Sequence, residues 1–299
     1  MTMAGAIGKI ATPRQALISM AAAAALLLPA SQAFGIALDL TSPYPNSGTI
    51  NGAIYSTIDN KPTGTGVFDP FLSLQAKVVE QGYNTSQGGN GQGFLDTKRV
   101  PQWNHDLHIS DLVAGTGPDG KGSYYAFELD ANETGNGTDA RLLSIDNIRV
   151  YTSPTDTANN VGNDLTKLLT GAETGGSGNT AALGTLRYAQ NPLFKTGGGF
   201  NTDNTVLIDA SRSEGGSTSG SGSSDMIVYI PVSNFAGAGL HDFVYFYNLD
   251  GVNNTSDSGF EEWRALTAVP DGGSSLVLLG SALTALGIFA GRRNMGISV

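Results

Sequence analysis

The sequence predicts an all-β body, an antiparallel β-sandwich or jelly roll, with an N-terminal signal peptide before it and one C-terminal membrane-spanning helix after it. Three observations carry this prediction. Short apolar/polar alternations recur through residues 34–268 between clusters of Gly, Asn, Asp, Ser and Thr, the pattern of strands and turns. No helical period alternates with them, which argues against βαβ units and for a sandwich or jelly roll. At both chain ends an apolar run lies next to basic residues.

Taken in order, Lys9 and Arg14 form a positive leader and residues 16–29 its apolar core. Ser31-Gln32-Ala33 places small residues at Ser31 and Ala33, so cleavage before Phe34 is expected and residues 1–33 read as a signal peptide. Strands are expected at 36–40, 53–58, 107–112, 185–188, 205–209 and 262–267. Leu72, Leu74, Ala76 and Val78 alternate with Ser73, Gln75, Lys77 and Val79. Tyr125, Phe127 and Leu129 form the inward face of a strand whose other face holds Tyr124, Ala126, Glu128 and Asp130. The apolar phase slips between Leu143/Ile145 and Ile148/Val150, as one inserted residue near Asp146-Asn147 would cause. Residues 226–230 and 243–247 are apolar on both faces, as in strands covered on two sides. One short helix is expected, capped by Asn163 or Asp164, faced by Leu165, Leu168 and Leu169, and stopped by Gly171.

Residues 274–290 contain no charge. About 17 helical residues span roughly 25 Å, the short end of a bilayer crossing. Arg292 and Arg293 then sit on the cytoplasmic side, with everything upstream outside. A buried core helix is the alternative, but it would show one polar face.

Composition bounds the exported body. There is no cysteine, so core burial rather than disulfides must stabilise it. The chain carries a formal charge of −10, and the body alone holds 12 basic against 25 acidic residues. Such a surface repels nucleic acid phosphates and suits cation association.

Val269-Pro270-Asp271-Gly272-Gly273, the uncharged run at 274–290 and the basic end at 291–299 together resemble the PEP-CTERM class of sorting signals, in its Val-Pro-Asp variant. Gly272 and Gly273 depart from it, standing where the common form has a second proline or the variant a serine. The resemblance implies processing by an exosortase, an integral-membrane enzyme of Gram-negative-type bacteria. It implies an inner-membrane precursor and then a place at the cell surface or in the extracellular matrix. The body is similar to surface proteins bearing such tails at 66–71, 80–85, 127–130, 143–146 and 259–263, a likeness that implies no chemistry.

Catalytic constellations are sparse. His105, His108 and His241 are the only histidines. The first two, three apart in an alternating segment, point to opposite faces and read as structural. Ser217, Ser219 and Ser221 lie in a Gly/Ser run without the strand-to-helix context of a nucleophile elbow. Glu261-Glu262 is an acidic pair of the type glycosidases use, in a chain where such pairs also arise by chance. The metal reading is calcium: Asp130, Asn132 and Asp139 offer oxygens along a segment with Gly135 at its sixth position. It lacks the closing bidentate Glu, because position twelve is Arg141. The competing reading is an Asx-rich hairpin. Asp250 and Asp257 form a second, weaker pair. No other cofactor is implied.

These readings leave three function classes. The first is a non-enzymatic surface or matrix protein associated with exopolysaccharide, handled by signal peptidase and an exosortase. The second is a carbohydrate-binding module using Trp103, Tyr124, Tyr151 or Tyr188. The third is a secreted glycan hydrolase.

Overall fold

The computed structural model describes residues 38–57, 68–88, 93–98, 101–133, 141–211, 224–257 and 259–266. The expected signal peptide, the apolar run at 274–290 and the arginines at 292 and 293 lie outside them. Among the described residues no helix is long and apolar enough to cross a membrane.

Strands dominate, and in chain order they begin with β1 (Leu38–Asp39), β2 (Ser47–Ile50), β3 (Ala53–Ser56), β4 (Leu72–Leu74) and β5 (Glu80–Tyr83). Then come β6 (Leu107–His108), β7 (Ala114–Gly115), β8 (Tyr124–Ala131), β9 (Leu142–Ser153) and β10 (Thr180–Ala181). The last are β11 (Gly184–Ala189), β12 (Val206–Asp209), β13 (Met226–Pro231), β14 (Phe243–Asp250) and β15 (Glu261–Ala265). One sheet has the order β2-β3-β13-β8-β15-β4, with β7 against β8. The other runs β1-β12-β9-β11-β10, and β14 joins β9 to β5 and β6. The body is therefore all-β, but not purely antiparallel as expected: β1 pairs with β12 in parallel, through Leu38↔Val206.

Both sheets contribute to one buried apolar cluster, including Tyr55, Phe127, Leu129, Val228 and Trp263 from the first and Ile145, Val150, Val244 and Phe246 from the second. Phe246 ties the layers together, its ring 5.0 Å from Phe127 and 4.7 Å from Trp263. A second cluster covers the outer face of β9 and β14, where Tyr151, Tyr245 and Tyr247 meet Ala158, Val161, Leu168 and Leu183. That explains why β14 reads as apolar on both faces: Val244 and Phe246 point one way, Tyr245 and Tyr247 the other.

The phase slip near Asp146 is real. Leu249 pairs with Asn147 and Asp250 with Ile145, leaving Asp146 as the additional residue. Asp164 does cap a short turn, accepting from the Thr166 N–H at 3.1 Å, but the turn is 3₁₀ rather than α and ends at Leu168. Two expected strands break early. The run from Leu72 stops at Leu74, because the chain crosses there from the first sheet to β5 of the second; Val78 takes a φ of 79° and is half exposed. The run from Leu107 turns into a 3₁₀ turn at Ile109–Asp111, where Asp111 accepts from the His108 N–H.

Candidate functional site

Register decides which polar side chains enter the space between the sheets. Glu261 lies opposite Ala131, and Trp263 opposite Leu129, so both face the shared core. On the other sheet Glu80 lies opposite Asp250, two residues on from Asn248 and four from Phe246, all on the inward face. The aromatic layer of Phe246 and Trp263 thus ends in Asn248, Asp250, Glu80 and Glu261, every one of them fully buried. Glu133, just past β8, closes the cluster; the Asp257 N–H donates to its Oε2 at 2.8 Å. Gly251 permits the sharp exit from β14 with a φ of 82°, and a Cβ there would run into the Val78 carbonyl.

Oxygens of Glu80, Glu133 and Glu261 all lie within 4.8 Å of one another. At an effective dielectric of 20, each ionised pair at that distance repels by about 3 kcal/mol, or about 10 kcal/mol for three pairs. That is the size of a whole domain's stability. Burial and this repulsion push the carboxyl groups toward their protonated forms. Burial pushes Glu261 well above the usual range, and the charges of Glu80, Glu133 and Asp250 add to it. Asp250 is raised by burial and then by Glu80 and Asp146. Burial also raises Glu80, against the opposing hydrogen bonds with Glu261, the Ala76 N–H and the Ser256 side chain. Glu133 is pushed up to about 7, mainly by burial.

The hydrogen bonding is one-sided. Glu80 Oε2 accepts from the Ala76 N–H at 3.0 Å. Among the described residues, Glu80 Oε1, Glu133 Oε1, Asp250 Oδ1, Asn248 Oδ1 and both Glu261 oxygens meet no donor. Glu261 faces the carboxyl groups of Glu80 and Glu133, and a carboxyl group can donate to it only while protonated. Asp146 shows the contrasting, structural case. Its Oδ1 accepts from Thr205 Oγ1 and Asn253 Nδ2 at 2.9 and 2.7 Å, and its Oδ2 from Ser144 Oγ and the Val252 N–H at 2.8 and 2.7 Å. Four donors explain the burial of Asp146; none explains that of Glu261.

The sequence-selected residues sit elsewhere. Asp130 lies on the opposite face of β8 from Ala131, across from Glu262 and close enough to Asp225 to raise its carboxyl. Asn132 Nδ2 donates to the Phe260 carbonyl at 3.1 Å, and Asp139 lies outside the described residues. Of the weaker pair, Asp250 joins the acidic cluster and Asp257 borders it. Glu261 and Glu262 point to opposite faces and do not form a catalytic pair. Sequence reasoning passed over Glu80 and Glu133; the available signal was glutamate next to residues that must be buried. His108 packs on Phe243 with ring centroids 4.6 Å apart, and His105 Nδ1 lies 2.9 Å from the Asp106 carbonyl. Tyr151 and Tyr188 are core residues. Trp103 is exposed beside Phe260, and Tyr124 lines a shallow cleft with Tyr229, Val113 and Leu266.

Residues 268–293 match the VPDSG-CTERM motif. The tail is a PEP-CTERM-like sorting signal. In this VPDSG-CTERM tail Gly272 stands in the serine position, between Asp271 and Gly273. No curated protein and no solved structure matches the chain, so the body's chemistry rests on its own geometry.

Proposed function

We propose that this is an exported, non-enzymatic surface or matrix protein. In this reading signal peptidase removes residues 1–33 and the segment at 274–290 holds the precursor in the inner membrane. An exosortase then acts at Val269-Pro270-Asp271-Gly272-Gly273. Arg292 and Arg293 stay on the cytoplasmic side, and the product, a β-sandwich, associates with exopolysaccharide. The sorting motif at 268–293 carries the reading. The acid cluster supports its non-enzymatic part, because a glycan cannot reach carboxyl groups as buried as Glu80 and Glu261. The acidic surface suits a hydrated matrix.

The test is the intact mass of the protein recovered from cells with and without the sorting enzyme. Loss of both the leader and a C-terminal piece is expected, the second only when the enzyme is present. The same C-terminal mass in both strains overturns the proposal. A carbohydrate-binding reading is favoured by one observation, the Tyr124 cleft. Its ring stands at 84° to that of Tyr229, which offers an edge rather than a flat platform. Glycan binding abolished by Tyr124→Ala would favour that reading.

A further inference from the structure

We propose that Glu80, Glu133 and Glu261, with Asp250 beside them, form a calcium site that clamps one end of the two sheets together. The site differs from the Asp130–Asp139 segment that the sequence singles out, and it does not rest on the export reading.

Spacing and hydration favour calcium. Two oxygens that each lie about 2.4 Å from a calcium ion can be up to about 4.8 Å apart, and the three glutamate oxygens lie within 4.8 Å of one another. Magnesium demands near-ideal octahedral geometry and dehydrates reluctantly, so a buried cluster suits it less. The donor set is all oxygen, with neither histidine nor cysteine in the group, which suits a hard cation.

Glu261 supplies the independent observation. It is fully buried, its two oxygens have no donor among the described residues, and it is aimed into the cluster. A proton shared between Glu80 and Glu261 would quiet that pair. It would leave the bare oxygens of Glu133 and Asp250 without a partner. None of the ion pairs formed by the described residues involves Glu80, Glu133, Asp250 or Glu261. A divalent ion held by the three glutamates satisfies their oxygens together and offsets the charge of Asp250 beside them. Because the ligands come from β5, β15 and the end of β8, the ion would bind the assembled body and not the unfolded chain.

The experiment uses the full-length chain in detergent, stripped with chelator and titrated with calcium chloride by calorimetry and thermal unfolding. Terbium provides a second readout, sensitised by Trp263 two residues along from Glu261 on the same strand face. One ion per chain is expected, with the melting temperature raised by about 5–10 °C at a hundredfold excess over Kd. Magnesium at equal concentration should do markedly less. Glu261→Gln should weaken calcium at least tenfold while melting in chelator no lower than the parent; Asp139→Asn should leave the affinity unchanged. The proposal is overturned if neither heat nor a melting shift appears, if Glu261→Gln binds normally, or if Asp139→Asn abolishes binding. Should Glu261→Gln fail to fold, Glu133→Gln takes its place under the same criteria.

Discussion

Arg149 on β9 is fully buried, and its guanidinium is anchored from three sides. Nη1 and Nη2 donate to Glu173 Oε1 and Oε2, each at 2.7 Å, Nε donates to the Tyr151 hydroxyl at 2.6 Å, and Nη1 reaches the Asn191 carbonyl at 3.1 Å. The two partners are not equivalent. Glu173 is 18% exposed and also accepts from Thr170 N, Thr170 Oγ1 and Leu193 N. Burial alone would raise its carboxyl, but these bonds and Arg149 hold it below the usual range. Glu173→Gln strands a cation that cannot shed its proton, and this should cost about 3–5 kcal/mol. Arg149→Met strands a carboxylate that keeps three donors and some water, so about half that cost is expected. Adding Arg149→Met to Glu173→Gln should therefore restore stability. At about 2–4 °C per kcal/mol, Glu173→Gln lowers the melting temperature by roughly 10 °C, and the double variant regains part of it. Calorimetric or circular-dichroism melts of the four proteins decide. A double variant less stable than Glu173→Gln would refute the reasoning.

Two further predictions concern the same scaffold. Six tyrosines are buried, at 55, 83, 151, 188, 245 and 247, and burial raises each hydroxyl, Tyr151 to about 12 against the opposing pull of Arg149. Their folded values lie above the unfolded value near 10, so the stability they contribute is complete below pH 10 and is lost above it. The loss is about 1.4 kcal/mol per pH unit for each tyrosine. Phenolate absorbance and loss of circular dichroism should therefore rise together above pH 10; six tyrosines ionising in a folded protein would contradict this. Gly251→Ala forces a side chain into φ of 82° against the Val78 carbonyl. It should destabilise by about 1–3 kcal/mol or more and, through the exit from β14, weaken calcium binding. An unchanged melt would show that this turn relaxes freely.

Much of the strand pattern was legible because alternation reports burial directly. Phe127 and Leu129 face inward, and the slip at Asp146 is a bulge. Where the reading failed, the cause was a change of layer. Residues 75–78 alternate like a strand, yet the chain there leaves one sheet for the other. In residues 109–112 the apolar Ile109 and Leu112 belong to a 3₁₀ turn that tucks them, and not Ser110 or Asp111, into the core. The acidic cluster was harder still. Its members are separated by as many as 181 positions between Glu80 and Glu261, and no local spacing relates them. The calcium expectation turned to the densest run of Asx residues, where short polar side chains serve turns as readily as ions.

The sequence by itself determined the strand content and the sorting tail, because each is written in neighbouring residues: alternation for the one, and a turn motif, an uncharged run and two arginines for the other. Only the tertiary structure decided which carboxyl groups stand together. Cross-strand register set Glu80 against Asp250 and Glu261 against Ala131, and whether a buried acid is satisfied or waiting for a cation depends on donors that folding alone brings within reach.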